Sequence, residues 1–146
     1  MSYPKATKPW QHVPDSLSGY IKLAELLFLK HSFDFGSNDY APAINFGPSS
    51  SSTKPIEQLL EKIFVHWTGS WHLHERSSQP HEAKKLTLQI VKAGSLLNWQ
   101  PLWSFKTTVQ LTADLYKNFD QGIDRIELYL SDIDYYTSFS KSIFSE

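Results

Sequence analysis

The sequence predicts an α/β chain with few short strands among about five helices, too little sheet for a complete doubly wound fold. Three observations carry this. Apolar residues recur at helical spacing over residues 17–28 and 56–67. Short apolar–polar alternations, such as Trp71 and Leu73 against His72 and His74, suit strands. A length of 146 residues with 40% hydrophobic content fits one domain with a real core.

The elements follow in order. A strand is expected at Trp10–Val13. Pro14 then suits a first helical turn, where its missing N–H costs little. Leu17, Tyr20, Ile21, Ala24, Leu27 and Phe28 give that helix one apolar face up to about Lys30. A loop rich in Gly, Asp, Asn and Pro follows. Residues 43–46 are short and apolar and end at Gly47-Pro48, which suits a second strand. The polar run SSSSTK reads as a loop within one domain.

Pro55 opens the next helix. Its residues Ile56, Leu59, Leu60, Ile63, Phe64 and Trp67 form the clearest amphipathic pattern in the chain, and Gly69 closes it. Residues 70–75 and 86–90 read as strands around a polar loop containing Pro80. A short helix over about 91–97 stops at Asn98. Ser104 suits an N-cap for a helix over about 105–119, and Gly122 breaks it. A last helix over about 123–139 places Ile126, Leu130, Ile133 and Tyr136 inside. The aromatic group Trp67, Trp71, Trp99 and Trp103 reads as core.

Composition narrows the function. With 14 basic and 15 acidic residues, no nucleic-acid or anionic-membrane partner held mainly by charge is expected. The absence of cysteine excludes disulfides and thiolate metal sites and fits a reducing cytoplasm. The opening MSYPKATKPWQ lacks the apolar run of a signal peptide, and no stretch approaches bilayer-spanning length. A cytoplasmic location is the expectation.

Five local strings point further. PWQHVPDSLSGYIKLAELL is similar to RPWQHVLEPLSGYLLLAE of the CDP-glucose 4,6-dehydratases, in the extended short-chain dehydrogenase/reductase superfamily. Asn45–Pro48 is similar to that family's NFGP, and Pro80–Ala83 to its PHEA. LTLQIVKAGSLLNW is similar to LKLDSSKAKELLGW. Gln100–Trp103 and the helix through Tyr116-Lys117 are similar to WxPxW and the TVxWY helix. The strings stand in family order and cover about residues 4–130. The resemblance implies that residues 1–146 form one C-terminal, substrate-binding region of an extended SDR fold, with an incomplete Rossmann sheet and the N-terminal NAD-binding domain absent. It also implies a place in sugar-nucleotide metabolism and lipopolysaccharide biosynthesis.

In that family NAD takes hydride from sugar C4, water leaves across C5–C6, and hydride returns to C6. The glycines here stand at 19, 36, 47, 69, 94 and 122, so no G-x-G-x-x-G or G-x-x-G-x-x-G turn exists to meet a pyrophosphate. None of the seven tyrosines is followed four residues later by lysine. The chain alone is therefore expected to hold no cofactor and to be inactive. Its catalytic residues are none, and enzyme status depends on an NAD-binding half encoded separately.

By the resemblance, Lys8, Trp10, Gln11, His12, His81 and Glu82 border a nucleotide-sugar pocket. If residues 10–12 alternate as a strand, Trp10 and His12 share one face and Gln11 takes the other. An ordinary role competes for each: Trp10 as core, the polar residues as solvated groups, Lys8 as a surface cation. Lys8 stands where the family has Arg, which keeps the charge and loses the bidentate fork. Gln89, Val91 and Asn98 stand where the family has Asp, Ser and Gly.

Two other readings remain open. The chain is a non-catalytic interaction module or remnant, or a small metal-binding protein using His72, His74 and His81 with Glu82, imidazole and carboxylate suiting zinc. Ser51-x-x-Lys54 matches a nucleophile motif by letters alone. Without a larger partner domain, the apolar faces of the first helix and of residues 45–47 should be exposed. Self-association, or a separately encoded NAD-binding half, would then cover them.

Overall fold

The computed structural model describes residues 3–29, 43–72 and 85–144. These form a mixed α/β unit with five α-helices and a two-stranded antiparallel sheet, a partial α/β fold. No described helix is long and apolar enough to cross a membrane.

The sheet departs from the expected strands. β1 spans Thr7–Pro9 and ends before Trp10. It pairs with β2, Thr53–Pro55, in the register Thr7↔Pro55, Lys8↔Lys54 and Pro9↔Thr53. β2 lies in the run expected to be a polar loop. Backbone pairing, not side-chain alternation, makes it a strand: Trp10 N–H bonds Ser52 C=O at 3.2 Å, and Ile56 N–H bonds Ala6 C=O at 3.1 Å. On the other edge Leu86 N–H reaches Thr7 C=O at 3.1 Å beside a single parallel bridge between Thr7 and Lys85. Residues 86–90 otherwise make no ladder, and neither do residues 43–46. Ile44, Phe46 and Ile90 contribute to the core without backbone pairing. The expected strand at 70–75 is irregular over 70–72, and its remainder lies outside the described residues.

The helices follow local chemistry closely. α1 spans Val13–Leu29, α2 Ile56–His66, α3 Val91–Leu97, α4 Phe105–Asp120 and α5 Arg125–Phe144. Asn98 ends α3 in the left-handed region at φ 48°, and Trp99 N–H bonds back to Ala93 C=O at 3.2 Å. Ser104 Oγ caps α4 by accepting from Thr107 N–H at 3.2 Å. Gly122, at φ 88°, turns the chain after α4. Asp124 Oδ1 then accepts from Ile126 N–H at 2.9 Å and caps α5.

Which faces are buried differs from the periodicity. Leu17, Tyr20, Ile21, Leu27 and Phe28 of α1 face outward, Phe28 at 80% exposure. The inward stripe is Asp15, Gly19, Leu23 and Leu26, at i, i+4, i+8 and i+11. A side chain at Gly19 would overlap the Phe46 ring, so the glycine permits that approach. In α5 the inward stripe is Leu128, Asp132 and Tyr136, whereas Ile126, Leu130 and Ile133 are more than half exposed. Both corrections share a cause. The buried stripe of each helix carries a polar residue with partners inside, so apolarity does not mark it. The segment at 45–47 corrects another expectation, since Phe46 and Gly47 are buried.

The core cluster is Phe46, Ala93, Leu97 and Trp99, packed on by Leu23, Leu26, Ile44 and Ile90. Trp99 and Trp103 are buried as expected, but Trp67 is 36% exposed. α2 packs on α4 and α1 on α3, while α5 meets both α1 and α4. That last arrangement opens a cleft between the start of α1 and the helices α4 and α5.

Candidate functional site

Beneath the cleft a buried carboxylate sets the geometry. Asp15, in the first turn of α1, is fully buried. Its Oδ1 accepts from Leu102 N–H at 2.9 Å and from Tyr136 O–H at 3.0 Å. Its Oδ2 accepts from Trp103 N–H at 3.3 Å. One side chain thus ties α1, the turn before α4, and α5 together. Burial pushes the Asp15 carboxyl above the ordinary range; the Leu102, Tyr136 and Trp103 donors, and His12, pull the other way. Burial likewise raises the Tyr136 phenol to about 12. Ser18 Oγ lies 2.9 Å from the Tyr136 oxygen, donates to the Asp15 carbonyl at 2.7 Å, and accepts from Trp99 Nε1–H at 3.0 Å.

The cleft above has a volume of about 520 Å³, within the range of small-molecule sites. Gln11, His12, Val13 and Pro14 form one wall, Thr112, Leu115 and Tyr116 of α4 a second, and Tyr129, Asp132 and Ile133 of α5 the third. Gln11 and His12 stand on the same cleft, in the connection between β1 and α1. The alternation expected for a strand does not apply, because the strand has ended. Gln11 Oε1 accepts from Ser16 Oγ at 2.9 Å, which leaves its buried amide nitrogen without a protein partner. His12 is 7% exposed and packs edge-on against the Trp103 ring at 4.9 Å. Its Nε2 lies 3.9 Å from Asp132 Oδ2, and its buried Nδ1 is unpartnered.

Burial lowers the His12 pKa, with Asp15 opposing, and burial raises that of Asp132. The sign of the pH dependence follows. A histidine with a depressed folded pKa takes up its proton more readily when unfolded. Stability is therefore lost as pH falls from about 6.5 toward the folded value. Asp15 and Asp132 have the opposite sign, because raised carboxyl pKa values lose stability as pH rises through them. Trp103 packs its ring against His12. His12→Phe keeps a ring at that position and deletes the titration. Between about pH 7.5 and 5.5 the melting temperature of the wild type is expected to fall more than that of the variant. Parallel curves would show that His12 does not contribute.

The other expected residues divide. Trp10 donates Nε1–H to Lys54 C=O at 2.9 Å and pins the exit of β1 to β2. It does not line the cleft. Lys8 lies opposite Lys54 in the sheet, so both side chains share one face. His81 and Glu82 lie outside the described residues. So does His74, which removes the expected histidine set from view. Among the described residues no group of three or more His, Asp or Glu side chains is placed to hold a metal. Ser51 bonds to Ser49, with no base beside it among the described contacts. The sequence reading missed Asp132, Tyr129, Thr112 and Asp15. Asp132 shares one face of α5 with Leu128 and Tyr136, but nothing local in the sequence marks that face as the one that turns to the cleft.

A helix-walled cleft on a partial α/β unit is the site this fold defines, and the chain that carries it is similar over most of its length to part of a larger dehydratase. No family model matches the chain. It is 32% identical over 125 residues to the CDP-glucose 4,6-dehydratase of Salmonella typhimurium. The match covers 84% of this chain and 33% of that enzyme, so the chain spans about one third of the relative's length. The resemblance read from the motifs is thus found again over most of the chain, at a share consistent with a C-terminal portion.

Proposed function

We propose that the chain binds a nucleotide sugar of the CDP-glucose type and does not turn it over alone. The observation that carries this is the placement of Gln11 and His12, from the PWQH string shared with the dehydratases, on the wall of the cleft. Lys8 and Lys54, facing one side of the sheet at the other end of that string, add cations for a diphosphate. The absence of a Gly-rich turn and of a Tyr-x-x-x-Lys pair from the sequence supports binding without hydride chemistry. In the family NAD supplies that chemistry, and residues 1–146 carry neither of the two motifs that serve it.

Calorimetric titration of the purified chain with CDP-glucose tests the proposal, with CDP and NAD as controls. Saturable binding of CDP-glucose without NAD is the expected result. No heat with CDP-glucose at millimolar concentration would sink it, and would favour the interaction-module reading.

The outward apolar stripe of α1 supports a second element of the proposal: the chain self-associates or packs on a partner through that helix. Light scattering behind size-exclusion chromatography is expected to show a species larger than a 16.8 kDa monomer at high concentration. Replacing Tyr20, Ile21 and Phe28 with polar residues should return the monomer. A monomer at every concentration contradicts self-association.

A further inference from the structure

We infer that His12 and Asp132 form a pH-operated latch on the cleft: neutral His12 stands clear of Asp132 and leaves the cleft open, whereas protonated His12 pairs with Asp132 and ties the start of α1 to α5.

The two side chains are placed for it. His12 Nε2 and Asp132 Oδ2 lie 3.9 Å apart, about 1 Å beyond a charge-assisted N–H···O bond. Both residues line the cleft, His12 from the connection before α1 and Asp132 from α5. Their side chains are 7% and 19% exposed, so water screens the pair weakly. The edge-on contact with Trp103 holds the imidazole in place. Its buried Nδ1 has no partner to steady a second proton. Burial and that orphan nitrogen disfavour the charged ring, so the gap stays open near neutral pH. Once a proton is taken up, Nε2–H is a charged donor facing a carboxylate, and each charge lowers the cost of the other.

The other groups around His12 leave Asp132 as the partner. Asp15 of α1 favours the proton by its charge, but Leu102 N–H, Trp103 N–H and Tyr136 O–H already occupy its oxygens. From α5 the Tyr136 phenol, pushed up to about 12, stays neutral, and Tyr129 adds a second phenol to the wall. α4 contributes Thr112, Leu115 and Tyr116, and the turn before it contributes Trp103. Among the described residues no lysine or arginine lines the cleft. The sign follows. Burial sets the His12 pKa below its ordinary 6.5, so the latch is open at higher pH and closes only as pH falls below that value. Closure withdraws the imidazole and the Asp132 carboxylate from anything entering the cleft.

NMR tests the latch without a ligand. Amide and imidazole signals of wild type, His12→Phe and Asp132→Asn are followed from about pH 7.5 to 5.5. Thermal melts at the upper pH check that both variants fold, and the signals missing from His12→Phe assign the His12 ring. In the wild type the amides of Gln11 and Val13 should shift together with those of Asp132 and Ile133, at the midpoint of the His12 imidazole. His12→Phe should abolish that shared transition. Asp132→Asn should move the His12 midpoint to lower pH and leave the α5 amides still. An unchanged His12 midpoint in Asp132→Asn, or α5 amides that do not follow His12 in the wild type, would overturn the latch. A second arm rests on the nucleotide-sugar reading and uses calorimetry with CDP-glucose, whose diphosphate is esterified at both ends and keeps its charge over this range. Wild type should bind it about tenfold more weakly at the lower pH, and Asp132→Asn should show no such weakening. Tighter binding by the wild type at the lower pH would make protonated His12 a cation for phosphate and overturn the latch. No binding at either pH would overturn the function reading alone, because the NMR result decides the latch by itself.

Discussion

Asp15→Ala is expected to destabilise the chain by about 3–5 kcal/mol, which rivals the total stability of an ordinary domain. The carboxylate is fully buried and is the acceptor for Leu102 N–H, Trp103 N–H and Tyr136 O–H. Alanine leaves the Leu102 and Trp103 N–H groups facing a void, while Tyr136 O–H retains Ser18 Oγ at 2.9 Å as an acceptor. Each buried donor without a partner costs about 1–3 kcal/mol, and the losses are not fully additive. Asp15 also lies in the first turn of α1, where a negative charge meets the positive end of the helix. Asp15→Asn separates shape from charge. It keeps one acceptor and turns an N–H₂ group toward donors, so it should fall between wild type and alanine. Urea unfolding followed by tryptophan fluorescence reads the midpoints. An Asp15→Ala midpoint close to wild type would mean that the three elements do not depend on this junction.

The second large effect is at Trp99. Its ring packs edge-on to Phe46 at 5.1 Å inside the main core cluster, and its Nε1–H donates to Ser18. Trp99→Ala should cost about 3–5 kcal/mol, by lost burial and the cavity left behind. A sharper contrast uses phenylalanine at both buried tryptophans. Trp99→Phe loses volume and a hydrogen bond. Trp103→Phe loses similar volume, but its Nε1–H is buried with no partner, so removing it relieves a cost. Trp103 keeps its ring contacts to His12 and Tyr136 through the phenyl group. Trp103→Phe is therefore expected to be the milder change by about 1 kcal/mol or more. The reverse order in the same unfolding assay would contradict the hydrogen-bond assignment.

The helices were legible because their signals are local. Ser104 caps α4, Asn98 turns the end of α3 and Gly122 separates α4 from α5, each within one turn of the residues it controls. The strands were not. β1 and β2 are three residues each, and their pairing is set by distant backbone groups, so no alternation marks Thr53–Pro55. The inward faces of α1 and α5 were hidden for a related reason. The polar residues Asp15 and Asp132 occupy them, and their partners come from elements far away in sequence. Of the candidate site, Gln11 and His12 were readable only through the PWQH string. Asp132 and Tyr129 required the packing of α5 across the start of α1.

The most direct test of the cleft as the binding site is amide chemical-shift mapping by NMR during titration with CDP-glucose. Binding at the cleft should move the amides of Gln11, His12 and Val13 together with those of Tyr129, Asp132 and Ile133, saturating with one affinity. Saturable shifts confined to α2 and α3, with these six unmoved, would place the ligand elsewhere and contradict the site described here.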